Sequence, residues 1–371
     1  MLIFKTFGYA PFNFRTALQS GKWVKLINGA SNQDTVLIRN LSFLYSLAGV
    51  DCIDISCDIA VLQAAREGIA AAGKFGSRLD PLVMISVNSD DDVHFRKAQF
   101  NPFLCPSDCP RPCEKICPAN AIPPVPIGAV GVLEEKCYGC GRCIPSCPLG
   151  LIEEYPFRPS LGLIKDIVKC GLVDAIEIHT NADQLESFAR LWGAIGDSVM
   201  AHLPLISISF PDMGAKTVPA LLSMQSIMRE HPRWSAAEKL QIFQTDGRPM
   251  SGDLGKGAVL PSLDLATKVL AAFSCSSGAT IDFSAGRQFV QLSGGVSGHT
   301  LGHPSLRQLR GRTGFGGFGF GGFLRKEFSR DLRGAGMEGR SFALEDEPTL
   351  LGPLLAKAEK FLAEARAEGK D

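Results

Sequence analysis

Eight cysteines fall between Cys105 and Cys147, and their regular spacing is that of metal ligands rather than of a disulfide framework. The run Cys137-Tyr-Gly-Cys140-Gly-Arg-Cys143-Ile-Pro-Ser-Cys147-Pro148 follows the pattern C-x2-C-x2-C-x3-C-P. In bacterial ferredoxins, three thiolates at this spacing grip three irons of one cubane and the fourth reaches a second cluster. Gly139 and Gly141 suit a loop whose amides must curl around an anionic sulfide core. The upstream set Cys105-x3-Cys109-x3-Cys113-x3-Cys117-Pro118 has one extra residue in each of its first two gaps. Its end nevertheless repeats the downstream grammar, because Cys113-Glu-Lys-Ile-Cys117-Pro118-Ala-Asn-Ala-Ile122 parallels Cys143-Ile-Pro-Ser-Cys147-Pro148-Leu-Gly-Leu-Ile152.

This internal repeat predicts a pseudo-symmetric pair of [4Fe-4S] clusters. By analogy with two-cluster ferredoxins, Cys105, Cys109, Cys113 and Cys147 hold one, and Cys117, Cys137, Cys140 and Cys143 the other. Two readings compete. Paired zinc sites use the same ligand, but zinc-binding pairs usually stand further apart and lack a trailing Cys-Pro in both halves. Clusters that merely staple a loop are the other, although one cluster would suffice for that.

The elements that must position these ligands follow a repeated pattern, in which a short β-branched run precedes an amphipathic helical stretch. Strands are predicted at Trp23 to Ile27, Cys52 to Cys57, Leu82 to Val87, Ala175 to Thr180, Leu205 to Phe210, Leu240 to Thr245, Gln288 to Leu292 and Phe315 to Phe320. Helices are predicted at Thr35 to Val50, Ile59 to Ala72, Asp183 to Ile195, Pro219 to Glu230, Ser262 to Phe273, Thr300 to Gln308 and Leu350 to Ala367. Eight strands with interleaved helices predict an α/β fold, a (βα)8 barrel, with a doubly wound open sheet as the alternative. The cysteine block interrupts the rhythm after the third strand, and its many prolines disfavour regular helix, so it reads as a cofactor-folded, ferredoxin-like insert. Residues 1–100 then hold the first βα units, 101–158 the insert, and 159–371 the rest of the barrel with its closing helix.

Lysine plus arginine and aspartate plus glutamate number 38 each, so neutral charge gives no general reason to expect nucleic acid or an anionic membrane as partner. No apolar stretch approaches the roughly 20 residues of a transmembrane helix. Cysteines used as metal ligands point to a reducing compartment.

Several stretches together resemble one family: Arg39-Asn40-Leu41 through Ala48-Gly49-Val50-Asp51-Cys52-Ile53-Asp54, His94-Phe95-Arg96-Lys97-Ala98, the run Cys105 to Cys117, and Cys137 to Cys143. They are similar to the light-dependent period protein A (LdpA) family of cyanobacteria and photosynthetic eukaryotes, most specifically between about Lys22 and Pro159. The resemblance implies an iron-sulfur protein that feeds the redox state of photosynthetic electron transport into the circadian clock, in complexes with clock input and output kinases and Kai proteins. It also implies the cytoplasm of a cyanobacterium or the plastid stroma of a eukaryote. The cysteines carry over position by position, and no catalytic residue does.

In a (βα)8 barrel the functional face is the rim at the strand C-termini. Asn28, Asp58, Asn88, His179, Asp212, Asp246, Arg248 and Ser293 fall at or just past strand ends, and His179 in Ile176-Glu-Ile-His-Thr180 is the strongest single candidate. Helix caps and loop hydrogen bonds are the bland explanation for each. Ser293-Gly294-Gly295-Val-Ser-Gly298 follows the seventh strand, where many barrels cradle a phosphate, so a flavin or other phosphorylated cofactor is the candidate ligand there. Arg310 to Phe323 mixes arginine, glycine and phenylalanine as RNA-binding tails do, yet is read as a core strand. Cys52, Cys57, Cys170 and Cys275 are read as buried small apolar residues, with Cys57 as a candidate for reactivity. Two functions emerge: a redox sensor supplied by a donor such as a quinone or ferredoxin, or a barrel oxidoreductase that relays electrons to a flavin or substrate at the rim.

Overall fold

The computed structural model describes residues 14–77, 80–124, 131–234, 239–247, 259–273, 281–337 and 340–367. Ten strands are described: β1 (Trp23–Ile27), β2 (Cys52–Ser56), β3 (Leu82–Asn88), β4 (Arg96–Gln99), β5 (Glu153–Pro156), β6 (Ala175–His179), β7 (Leu205–Pro211), β8 (Leu240–Asp246), β9 (Gln288–Ser293) and β10 (Phe315–Phe320). Eight of them close into a parallel barrel in the order β1-β10-β9-β8-β7-β6-β3-β2, which excludes the open sheet. All eight predicted strands are barrel staves.

Period-two alternation explains why these segments close. On β2, β3, β6 and β7 the outward Ile53, Ile55, Val83, Ile85, Ile176, Ile178, Ile206 and Ile208 join the large core between sheet and helices. The inward residues at the strand N-termini, including Trp23, Cys52, Met84, Ala175 and Leu205, form a second apolar plug, closed from below by Leu18 of the helix Phe14–Gln19. The glycine-rich β10 is a buried stave, as its alternation suggested. A Cβ on Gly317 would stand 2.0 Å from the Trp23 carbonyl oxygen, so only glycine lets this strand approach β1.

The helical expectations hold with local differences. Thr300 to Gln308 is two short helices, Gly298–Leu301 and Pro304–Arg310, because Pro304 starts the second and the His303 ring accepts its Ser305 amide as a cap. Leu161–Lys169 and Gly322–Gly334 are helices that sequence periodicity did not single out. The first has the place after β3 that the insert displaced, and the second begins in glycine. Leu354, Ala358, Leu362 and Ala365 of Pro348–Arg366 are buried along the expected stripe.

The insert leaves the barrel after β3 and returns before Leu161–Lys169. Its ends are joined by antiparallel pairing of β4 with β5, an element absent from the sequence reading. Among its described residues, α-helix is limited to single turns at Pro112–Ile116 and Cys143–Ser146.

Candidate redox site

The cysteine insert is a duplicated unit at the level of individual hydrogen bonds. The Cys117 amide donates to the Glu114 carbonyl (3.3 Å) and the Cys147 amide to that of Ile144 (3.3 Å). Four residues past each cysteine, an amide points back at its sulfur: Ala121 to Cys117 Sγ (3.2 Å) and Leu151 to Cys147 Sγ (3.4 Å). The backbone angles repeat as well. Arg111 and Asn120, with φ of 49° each, are the described non-glycine residues in the left-handed region, and their counterparts thirty positions on are Gly141 and Gly150. Forcing Arg111 into this conformation is costly for an L-residue, so the turn is dictated by what it encloses.

The sulfurs lie in two neighbourhoods. Cys117, Cys137, Cys140 and Cys143 line one small cavity, with Ala121 and Ile122 among its walls. Burial, then the nearby thiolates of Cys140, Cys137 and Cys117, push Cys143 up to about 12. Cys105 is raised by burial and by Cys109 and Cys113, and Cys113 by burial and, among thiols, by Cys147. The sulfurs that add to burial in each of these shifts belong to a single quartet. Cys147 itself is lowered, since the amides of Leu149, Gly150, Leu151 and Ile152 outweigh burial around it. No described cysteine forms a disulfide. Thiols crowded against one another, with amides aimed at their sulfurs, suit an iron-sulfur group that takes them as thiolates.

Gly139 shows how closely this loop meets the ribbon, because a Cβ there would lie 2.1 Å from the Arg96 carbonyl oxygen while φ is +69°. The Ala98 amide in β4 donates to Cys137 Sγ (3.3 Å). On the barrel side, the Gln33 amide donates to the Glu135 carbonyl (2.9 Å), and the Arg325 guanidinium stacks on the Tyr138 ring at 4.7 Å. These contacts seat the insert on the C-terminal rim. Tyr138 and Cys140 consequently form part of the wall of a barrel-mouth cavity, together with His94, His179, Asp246 and Ser293.

Below the mouth, the barrel interior is polar where a (βα)8 core is ordinarily aliphatic. Lys25 is fully buried, pairs with Glu177, and lies 3.9 Å from Asp54. The hydroxyl of Ser207 and the amide nitrogen of Gln244 both donate to Glu177, each at 2.8 Å, and Ser86 donates to Asp54 (2.7 Å). Burial alone would raise Glu177, but the Lys25 ammonium overrides it and holds the carboxyl near 2, whereas burial pushes Asp54 up to about 7. The sequence reading missed Lys25, Asp54 and Glu177. Their signal was a charge at the inward position of an otherwise apolar strand, as in Trp-Val-Lys-Leu-Ile and Ile-Glu-Ile-His.

The proposed rim residues separate into two groups. His179, Asp246 and Ser293 meet at the cavity, with Gly294 and Gly295. Asp58 caps the helix Ile59–Lys74, Asn88 donates to the Asp90 carbonyl (2.6 Å), and Asp212 accepts from Thr217 and Lys268, so these three serve the loops. Asn28 is fully buried, with neither side-chain amide atom hydrogen-bonded. Gly298 begins a four-residue helix and is not among the residues of the cavity wall. Gly294 has a steric explanation, since a Cβ would lie 2.8 Å from Asp246 Cα. Cys52 and Cys57 are buried as expected, and burial pushes Cys57 up to about 12, which makes it unreactive. Cys170 is exposed, contrary to expectation, because it caps the solvent end of Leu161–Lys169. Arg248 and Cys275 lie outside the described residues.

Known proteins match both parts of the chain. The LdpA Fe-S cluster-binding domain matches residues 105–158, and the Light dependent period A C-terminal domain matches residues 167–364. The Light dependent period A protein of Synechococcus elongatus is 37% identical over 295 residues, covering 79% of this chain and 76% of that protein. Two partial relatives share segments with this chain. The polyferredoxin-like component of the aliphatic sulfonate oxidoreductase of Pyrococcus furiosus is 40% identical over 19% of this chain and 39% of its own length. Formate hydrogenlyase subunit 2 of Escherichia coli is 43% identical over 18% of this chain and 32% of its own. No helix among the described residues is long and apolar enough to cross a membrane. With its cysteine quartets seated on a closed barrel and both family domains matched in order, the chain is an iron-sulfur protein of the light dependent period A family.

Proposed function

We propose that the protein is a redox sensor with two [4Fe-4S] clusters, one on Cys105, Cys109, Cys113 and Cys147 and one on Cys117, Cys137, Cys140 and Cys143. When bound, each cluster supplies a one-electron centre. The observation that carries the reading is apolar exposure on the insert. Phe103 (77% exposed), Leu104 (61%), Ile116 (42%) and Leu149 (52%) all lie within two residues of a cysteine of the set. Large apolar side chains left exposed on a small metal-folded module are what a partner can dock against. Their placement depends on the turns that the cysteines hold, so a change in charge or ligation at those sulfurs alters the surface a partner meets.

The name of the Synechococcus relative, Light dependent period A, supports a role in light-dependent timing. Clock kinases and Kai proteins as partners, and a quinone or ferredoxin as electron donor, are the finer part of this proposal. The cyanobacterial cytoplasm or the plastid stroma is the corresponding location. Anaerobic purification with iron, sulfide and flavin quantification, followed by dithionite reduction, tests the reading. About eight irons per chain, no flavin, and different affinities of the oxidised and reduced forms for a purified clock kinase are expected. Four or fewer irons, or equal binding of the two forms, would overturn it.

The barrel-mouth cavity supports a second reading, an oxidoreductase acting on a molecule bound between Cys140 and the histidines. Ser293, Gly294 and Gly295 would then contact a phosphate or polar group of a flavin or substrate. Copurification of a stoichiometric yellow cofactor would favour it.

A further inference from the structure

Asp92 and His94 lie in the loop between β3 and β4, and His179 ends β6, so three donors from two separate parts of the chain meet on the rim. Their ligand atoms all lie within 4.8 Å of one another. His94 Nδ1 is 2.9 Å and His179 Nδ1 3.9 Å from the same oxygen, Asp92 Oδ1. Each imidazole also has a buried carboxylate behind its other nitrogen. Glu177 Oε1 is 3.2 Å from His179 Nε2, and Asp246 Oδ2 is 3.9 Å from His94 Nε2. Lys25, Ser207 and Gln244 fix Glu177, while the Ser209 hydroxyl donates to Asp246 (3.1 Å).

We propose that Asp92, His94 and His179 bind one divalent transition-metal ion, iron(II) or zinc, whose open coordination positions face the barrel-mouth cavity. Two imidazoles and one carboxylate on one side of an ion, with the remaining positions open, is the donor set of non-haem iron(II) and catalytic zinc sites. A carboxylate behind each ligating histidine is the outer support that such ligands almost always have, fixing which nitrogen faces the ion. Donors bound at about 2.0–2.2 Å lie roughly 3–3.5 Å apart. The Asp92–His94 spacing already fits, and His179 would have to move towards Asp92 by about half an ångström in a set whose ligand atoms all lie within 4.8 Å.

The competing account is an ion cluster without metal, in which Asp92 bridges two imidazolium rings. Those rings have centroids 5.2 Å apart and would repel each other, whereas neutral rings sharing one cation would not. Asp54 and Asp246 line the mouth, with Asp92 against the two histidines and Glu177 below them, while among the described residues Arg325 lines the mouth and Lys25 is paired with Glu177, so a divalent ion would offset the remaining carboxylate charge. Both histidines line the cavity, so the ion would be open to a small oxygen- or nitrogen-donor molecule.

The test is zinc titration of the cluster-loaded protein in metal-depleted buffer, with bound zinc, iron and sulfide measured by elemental analysis after desalting. One zinc per chain is expected for the native protein. Asp92→Asn, His94→Gln and His179→Gln should each weaken zinc binding by at least about tenfold at unchanged iron and sulfide content, and Glu177→Gln by about 10- to 100-fold. Asp92→Asn changes a half-buried loop residue, and its unfolding temperature is recorded alongside to separate lost binding from lost folding. Absence of zinc from the native protein, or equal zinc in native protein and all three ligand variants, would overturn the proposal. Because iron and sulfide are counted in the same samples, failure of the cluster reading appears separately as low iron.

Discussion

The barrel and the insert differ in what holds them together. Barrel staves alternate between an outer aliphatic layer and a lower apolar plug, and both are built from apolar side chains. Among the described residues the insert core is Ala98, Cys113, Ala121, Ile122, Cys137, Cys143 and Ile152, so three of these seven buried members are thiols. Such a core is too small to order a proline-rich loop by hydrophobic burial alone, and the energy of metal ligation must do the rest. One region is therefore a permanent scaffold, and the other has a conformation conditional on its cofactor. This division suits a protein that reports redox state.

The largest test of that difference removes the cofactor. Oxidative or chelator-driven loss of iron should make the insert protease-sensitive between 101 and 158 while the far-UV circular dichroism of the barrel is retained, and Cys140→Ser should do the same in part. Simultaneous unfolding of both regions would break the distinction.

Next in size is a strike at the barrel alone. Lys25→Met removes the cation paired with buried Glu177 and leaves it only His179, Ser207 and Gln244, which should lower stability by up to about 3–5 kcal/mol in urea unfolding without changing iron content. The same pair sets the acid limit. The Glu177 carboxyl is held near 2, below its ordinary value of 4.5, so the folded state binds fewer protons there than the unfolded chain does. Its contribution is complete above pH 4.5 and is lost as pH falls from 4.5 towards 2. In Lys25→Met this part of the acid dependence should shrink, since His179 then remains as the group holding Glu177 down, and thermal melts across the window would record it.

Smaller effects sharpen the insert side. Gly139→Ala places a methyl against the Arg96 carbonyl at a left-handed position, which costs about 1–2 kcal/mol for the backbone alone, and should reduce retained iron with little change in barrel unfolding. Asn120→Gly relaxes the left-handed turn whose counterpart is already Gly150, and should change stability by less than about 1 kcal/mol, in the direction of slower iron loss.

How legible the molecule was in its residues depended on the range of the forces involved. Strand runs such as Leu-Val-Met-Ile-Ser-Val-Asn announced themselves because burial on the outer face leaves a local alternating pattern. The cysteine repeat was equally plain, since the ligands of one loop must be close in sequence. The helix Leu161–Lys169 was less visible, being short and separated from its strand by the insert. The β4–β5 ribbon was invisible for another reason: its strands are four residues each and their pairing spans the whole insert.

Sequence by itself determined the eight staves, the duplicated cysteine grammar and the point at which the insert leaves the barrel, because hydrophobic periodicity and ligand spacing are both written along the chain. Only the tertiary structure decided that Tyr138 and Cys140 face the barrel mouth, that Lys25 meets Glu177, and that Asp92, His94 and His179 converge. Those meetings depend on barrel closure and strand register, which bring together residues far apart in the chain and leave no local pattern to read.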